Sequence, residues 1–356
     1  MLCTHRPWVQ ASTSSYPPQS KQLNQSSNFS ITKTKTQFQR KFLRNRLNDI
    51  EVDDIDDDDG GSGLLRFALT AHVKSITSTS NPFVKHCLKL KNSSSYRHSN
   101  GSALVVGTTS IREIYRYEEA SQEKTVMDCL LLLDKAEIPE GLDTDSVRIV
   151  RINTMVMKKL SGVQSAESIE AIALMRLPTS FLNLDIDQNT LDCRRWFPST
   201  YRILVLDGIQ DPGNLGTLVR SATAFQWDGI FLLPGCCDPF NEKALRASRG
   251  SSFQLPIVSG SWYHLQTLKD TLNMKMVAGH PDSDGKLKKV SSLSKEFVHS
   301  LSHVPLCLVL GSEGRGLSEK SQQECELVSI PMAGEFESLN VSVAGGIFLY
   351  MLQPKN

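Results

Sequence analysis

The chain predicts a doubly wound α/β architecture, with a parallel sheet in its carboxyl-terminal part and a smaller α/β lobe ahead of it. Three observations carry this. From Arg202 onward, short aliphatic runs alternate with segments of helical pattern, as βαβ units do. Runs such as KMVAG (275–279) and LCLVLG (306–311) show no polar alternation, the mark of strands covered on both faces. Three stretches rich in Gly, Asn, Ser and Glu follow short β-branched and aliphatic runs, where the crevice of a parallel sheet opens.

Residues 1–48 contain Arg and Lys but no Asp or Glu, and are crowded with Ser, Thr, Gln and Asn. That composition cannot bury a core and fits an organelle transit peptide. Glu51 to Asp59 form an acidic run closed by Gly60, Gly61 and Gly63, read as a solvated linker. Residues 1–65 are therefore expected to be disordered.

From Arg66 to Arg112 there are seven Lys or Arg residues and no acidic one. Val84, Cys87 and Leu88 supply the apolar side of a short helix. Lys85, Lys89, Lys91 and Arg97 are expected to face outward and attract a phosphate backbone, with Tyr96 and His98 placed to stack on bases. A solvated helix is the plain alternative. Ala103 to Val106 read as a strand, residues 66–178 as one lobe, and residues 179–200 as a connector to the lobe at 201–356.

In that last lobe ILVL (203–206) precedes a helix with Leu215, Leu218, Val219, Ala222 and Phe225 on one face. GIFLLP (229–234) precedes a polar helix through Lys243 and Arg246. KMVAG and LCLVLG follow, and an apolar helix containing Gly345 and Gly346 ends the chain.

Several classes are disfavoured. The eight cysteines include no Cys-x-x-Cys pair, and Cys236 and Cys237 lack His partners at ligand spacing, so no metal site is expected. Free thiols suit a reducing compartment. No apolar run reaches the roughly 18 residues of a membrane span. Asp207 to Gly216 lacks the Gly-x-Gly-x-x-Gly of a Rossmann dinucleotide site.

The three polar stretches are DGIQDPGNLGTLVRSATAF (207–225), LVLGSEGRGL (308–317) and SIPMAGEFESLNVSVAGGI (329–347). Their order and content resemble the three motifs of the SpoU/TrmH branch of the SPOUT methyltransferases. Asn214, Gly216 and Arg220 match the first motif. Gly311, Glu313 and Gly314 match the second, and Ile330 to Met332 with Ser338 to Ala344 match the third. Ser80 to Lys85 and Leu160 to Pro178 resemble, less specifically, the RNA-binding lobe often attached to such enzymes.

The resemblance implies a SPOUT-type parallel sheet with a carboxyl-terminal trefoil knot, S-adenosylmethionine (SAM) as cofactor, and a homodimer. It implies methylation of a ribose 2′-hydroxyl in RNA, with ribosomal RNA favoured over transfer RNA, and the composition of residues 1–48 makes that RNA organellar. A non-catalytic RNA-binding assembly factor of the same fold is the alternative from another class. The Ser-rich start tilts the compartment to chloroplast over mitochondrion. By resemblance Gly311, Ile330 and Leu339 line the cofactor, and Met332 and Gly314 are added from the same loops.

Arg220 is expected to carry catalysis. A guanidinium with a pKa above about 12 does not readily release a proton, so a fixed charge beside the forming alkoxide is the favoured role over a general base. Asn214 is expected to orient Arg220 or the ribose, or to cap a helix. Glu313 is expected to pair with Arg220 or to bind a hydroxyl. Ser338 and Asn340 open the last helix, where free N–H groups favour polar ligand atoms. Gln226 and Arg249 depart from the family pattern, which favours Gly and a small residue there. Gln226 is expected to alter a helix end, and Arg249 to add a phosphate contact.

Overall fold

The uninterrupted aliphatic runs form strands whose alternate side chains enter two separate cores. The structure is a computed structural model that describes residues 75–121, 127–142, 147–163, 171–185, 192–281, 289–334 and 337–354. The expected transit peptide and acidic linker lie outside the described residues.

The amino-terminal lobe runs β1 (Ser75–Ile76), α1 (Pro82–Asn92), α2 (Ser94–Asn100), β2 (Ser102–Val106), α3 (Thr108–Ser121), β3 (Met127–Leu133), β4 (Ile149–Ile152), α4 (Thr154–Ser161) and β5 (Ala171–Arg176). Its sheet has the order β1-β4-β3-β5-β2, with β5 antiparallel to β2 and β3. Helix α1 starts where Asn81 accepts from the Phe83 N–H at 2.9 Å and Pro82 opens the first turn, a side-chain cap followed by a preset φ. It buries Val84, Cys87 and Leu90, whereas Leu88 is half-buried.

The second lobe runs β6 (Phe181–Asn183), β7 (Arg202–Asp207), α5 (Pro212–Ala224), β8 (Gly229–Leu232), α6 (Glu242–Ser248), β9 (Ile257–Ser259), α7 (Trp262–Leu272), β10 (Lys275–Gly279), β11 (Ser291–Ser292), α8 (Lys295–Ser300), β12 (Leu306–Gly311), α9 (Glu319–Glu324), β13 (Glu326–Ser329) and α10 (Val341–Met351). The eight strands are ordered β11-β13-β10-β12-β7-β8-β9-β6, and every pairing is parallel. Leu204, Leu206, Leu308 and Leu310 enter one core; Ile203, Val205, Cys307 and Val309 enter the other. Part of the stretch read as a connector becomes the edge strand β6.

The two lobes share a core. Ala103, Val105, Ile111 and Ile114 pack with Phe240, Leu245 and Phe253 of the second lobe. A buried ion pair reinforces this, with Arg97 Nη2 2.7 Å from Asp238 Oδ2.

The last helix packs closely against side chains of α5 and β12. A Cβ on Gly345 would stand 2.2 Å from Leu218 Cδ2 and 2.9 Å from Leu310 Cδ1, so any larger residue must push these leucines aside. Gly346 meets nothing within 4 Å, and close approach does not require it. The helix end is held by Arg202, whose Nε donates to the Leu352 carbonyl at 2.9 Å and Nη2 to that of Leu301 at 2.8 Å. Trp227 Nε1 donates to the Leu349 carbonyl at 3.2 Å.

Candidate active site

All three polar stretches meet at the carboxyl edge of the parallel sheet. Asn214 Nδ2 donates to Glu313 Oε1 at 2.8 Å, and Asn340 Nδ2 donates to the same oxygen. Asn340 Nδ2 also lies 3.3 Å from Asn214 Oδ1. One carboxylate oxygen thus joins side chains 99 and 27 residues away along the chain. Charge-assisted bonds of this kind are the stronger ones.

Local chemistry sets each member. The cap of α5 is Asp211, which accepts from the Asn214 N–H at 2.8 Å. Asn214 therefore stands inside the first turn and not at the cap, so its amide is free to reach Glu313. Asn340 caps α10 through Oδ1, taking the N–H groups of Ser342 and Val343 at 2.9 and 3.4 Å. That leaves its Nδ2 for Glu313. Ser338, expected to open this helix, lies before the cap, is exposed, and makes no hydrogen bond among the described residues.

Glu313 is presented by a tight reversal after β12. Ser312 and Gly316 exchange backbone bonds at 3.0 and 2.8 Å, and Gly316 adopts φ +68°. A Cβ on Gly311 would fall 2.4 Å from the Gly316 carbonyl, so the loop folds flush onto the strand end. Gly314 carries no such demand, since a Cβ there meets nothing within 4 Å. Beyond β13, Ile330 is half-buried against the core. Met332 and Leu339 stay 38% and 36% exposed. Exposed apolar side chains on loops at a strand-end crevice suit the flat apolar faces of an adenine, so these residues fit a nucleoside cofactor.

Arg220 does not join Glu313. It is exposed on α5 and makes no hydrogen bond or ion pair among the described residues. It lines a cleft with Thr109, Glu113 and Arg249. The expected pairing of Glu313 with Arg220 is replaced by the two amides.

The basic face is smaller than expected. Lys85 and Lys89 are exposed on α1. Arg97 is only 3% exposed; it donates to Asp238 and to the carbonyls of Leu90 and Lys91. Lys91 Nζ donates to the Leu160 carbonyl at 2.9 Å, and burial pushes its pKa down. Both are structural, because each cation satisfies buried carbonyls. Tyr96 shares a hydrogen bond with His86 Nδ1 at 2.9 Å. His98 stacks on Phe181, with ring centroids 5.2 Å apart.

Two carboxylates with structural roles escape the pattern of motifs. Asp207 ends β7 and accepts from the Ser318 N–H at 2.8 Å and from the Ser321 hydroxyl, tying the second motif to the first. An acid closing a buried strand was the available signal. Asp238 accepts from Ser94 and Arg97 and lies 3.4 Å from His98 Nε2. Burial opposes its ionisation, yet His98, Arg97 and Ser94 together hold its carboxyl well below the ordinary range. Nothing near it in sequence announces those partners.

Comparison with known proteins places the arrangement. The family model described as the SpoU rRNA methylase family matches residues 201–350. An uncharacterized tRNA/rRNA methyltransferase of Synechocystis is 30% identical over 292 residues, 80% of this chain and 95% of that protein. The 23S rRNA (guanosine(2553)-2′-O)-methyltransferase RlmP of Bacillus subtilis is 28% identical, over 79% of this chain and 100% of that protein. A solved RNA 2′-O ribose methyltransferase is 27% identical with a TM-score of 0.59, covering 78% of this chain and 97% of that one. The AdoMet-bound rRNA methyltransferase of Sinorhizobium meliloti, 23% identical, shares the fold with a TM-score of 0.60 over 78% of this chain and 97% of that one. With motifs one, two and three converging on Glu313 and matches that span both lobes, this chain belongs to the SpoU rRNA methylase family and is a methyltransferase.

Proposed function

We propose that this enzyme methylates a ribose 2′-hydroxyl of ribosomal RNA in an organelle, the chloroplast foremost, with S-adenosylmethionine as cofactor. The observation that carries the reading is the convergence of Asn214, Glu313 and Asn340 beside exposed Met332 and Leu339. When bound, the cofactor supplies an electrophilic sulfonium methyl. Gly311, Gly314, Ile330, Met332 and Leu339 would hold it through backbone groups and apolar faces.

The residues of the chain do the rest. Glu313 pins the starts of α5 and α10 together, so the crevice is organised before substrate arrives. Arg220, unpaired and permanently charged, offers a positive charge to the hydroxyl as it becomes an alkoxide. Ser338, exposed ahead of the Asn340 cap, is available to the ribose. Lys85 and Lys89 on the small lobe hold the phosphate backbone. The acid-free, Ser-rich first 48 residues support organelle targeting. Resemblance supports the trefoil knot and a homodimer, and the exposed apolar side of α10 suits a partner.

The test reads the ribose directly. A 2′-hydroxyl is the nucleophile when alkali cleaves RNA, so a methylated ribose leaves its phosphodiester uncut. Ribosomal RNA treated with enzyme and cofactor should show one gap in an alkaline ladder, absent with Arg220→Ala. A label that runs with a base-methylated nucleoside, and a ladder without a gap, would sink the ribose assignment.

A further inference from the structure

We propose that the cleft between α3 and α5 is a phosphate seat for the RNA backbone, and that Arg249 grips the phosphate there beside Arg220. The proposal rests on the RNA reading above. The cleft measures about 310 Å³ and is lined by Thr109, Glu113, Arg220, Arg249, Ser251 and Gln254. It is built by both lobes, since Thr109 and Glu113 belong to α3.

Two guanidiniums line this space without a carboxylate bound to either. Arg249, like Arg220, is exposed and its side chain makes no hydrogen bond or ion pair among the described residues. Glu113 also lines the cleft, yet pairs with neither arginine. Adjacent unpaired arginines raise the local positive potential and draw in an anion. Their planar forks match phosphate oxygens bidentately.

The backbone supplies a second, independent sign. Arg249 caps α6 with φ 51° and ψ 40°, in the left-handed region that strains residues bearing a Cβ and that glycine adopts freely. Gly250 follows at φ +92°, and a Cβ there would stand 2.9 Å from Ile114 Cγ1 and 3.1 Å from the Ser110 carbonyl. Gln254 Nε2 donates to the Glu113 carbonyl at 3.3 Å. The turn is thus clamped against α3, and the clamp carries an arginine where glycine would be less strained. Strain held by its surroundings points to a use for the side chain. The same clamp fixes the reach of Arg249 into the cleft, so docking of the small lobe shapes the seat.

The closing experiment uses the full chain and polyuridylate as probe, with affinity measured across a salt series. Arg249→Asn removes the charge while keeping a residue that tolerates the left-handed region, so its melting temperature should match the wild type. Its affinity should fall about tenfold, and its salt slope should shrink by about 0.7, one single-strand phosphate contact. Arg249→Lys should keep the slope. Glu113→Gln, which removes the one carboxylate of the cleft, should tighten binding a few-fold. If the wild type binds and Arg249→Asn shows the same affinity and slope, the seat is overturned while the RNA reading stands. Unchanged or weaker binding by Glu113→Gln would likewise overturn it. No salt-dependent binding by the wild type would bring down the RNA reading itself.

Discussion

At the scale of single residues, one carboxylate and two amides link the three motifs, and one arginine stands apart with its charge unspent. Arg220→Ala should therefore abolish methyl transfer while leaving cofactor affinity nearly intact, measured by turnover and by calorimetric titration. Loss confined to turnover marks an interaction made chiefly in the transition state. Asn340 has two duties that can be separated. Its Oδ1 caps α10 and its Nδ2 donates to Glu313. Asn340→Asp keeps a good cap but places an acceptor against Glu313. Because Asn and Asp cap almost equally, thermal melting should report the lost Glu313 contact, a fall of about 1.5–3 kcal/mol. Transfer should drop by tenfold or more, on the scale of one lost charged hydrogen bond of about 1.5–3 kcal/mol. Unchanged melting together with unchanged transfer would show that Asn340 matters only as a cap.

At the scale of elements, α10 and α1 carry opposite lessons. In α10 two adjacent glycines look equivalent in sequence, and packing separates them. Gly345→Ala drives a methyl into Leu218 and Leu310, which should cost about 1–3 kcal/mol in denaturant unfolding. Gly346→Ala meets open space and should gain up to about 1 kcal/mol from helix propensity. In α1, burial and the Lys89 charge push the His86 pKa down to about 4 from 6.5. The folded state therefore prefers the neutral ring, and the unfolded chain binds the proton first as pH falls. Stability from this group is complete above about pH 6.5 and is lost toward pH 4, by roughly 3 kcal/mol at full extent. Melting temperatures at pH 7.5 and 5.0 should differ more for the wild type than for His86→Gln.

At the scale of the whole molecule, the lobes are joined by Phe240, Leu245 and Phe253, which pack with the small sheet, and by the Asp238 cluster. The outer side of α10 remains uncovered, with Val343 52% and Tyr350 57% exposed. A two-fold contact through that side would bury it. Light scattering at micromolar concentration should give a dimer for the wild type and a monomer for Val343→Glu; a monomeric wild type would refute the dimer.

The parallel sheet was legible from KMVAG and LCLVLG, because a strand buried on both faces has no reason to alternate. Asn214, Glu313 and Asn340 were legible as motif members, yet their partners were not. Glu313 was expected to pair with Arg220 or to bind a hydroxyl, and its partners within the chain are two amides. Arg97 was expected in solvent and is held by Asp238, 141 residues further on. Helix and strand periodicity is written within a few residues, since it reports only which face of an element is buried. The pairing of a charged side chain depends on which distant loop packs beside it, and that is set when the elements stack.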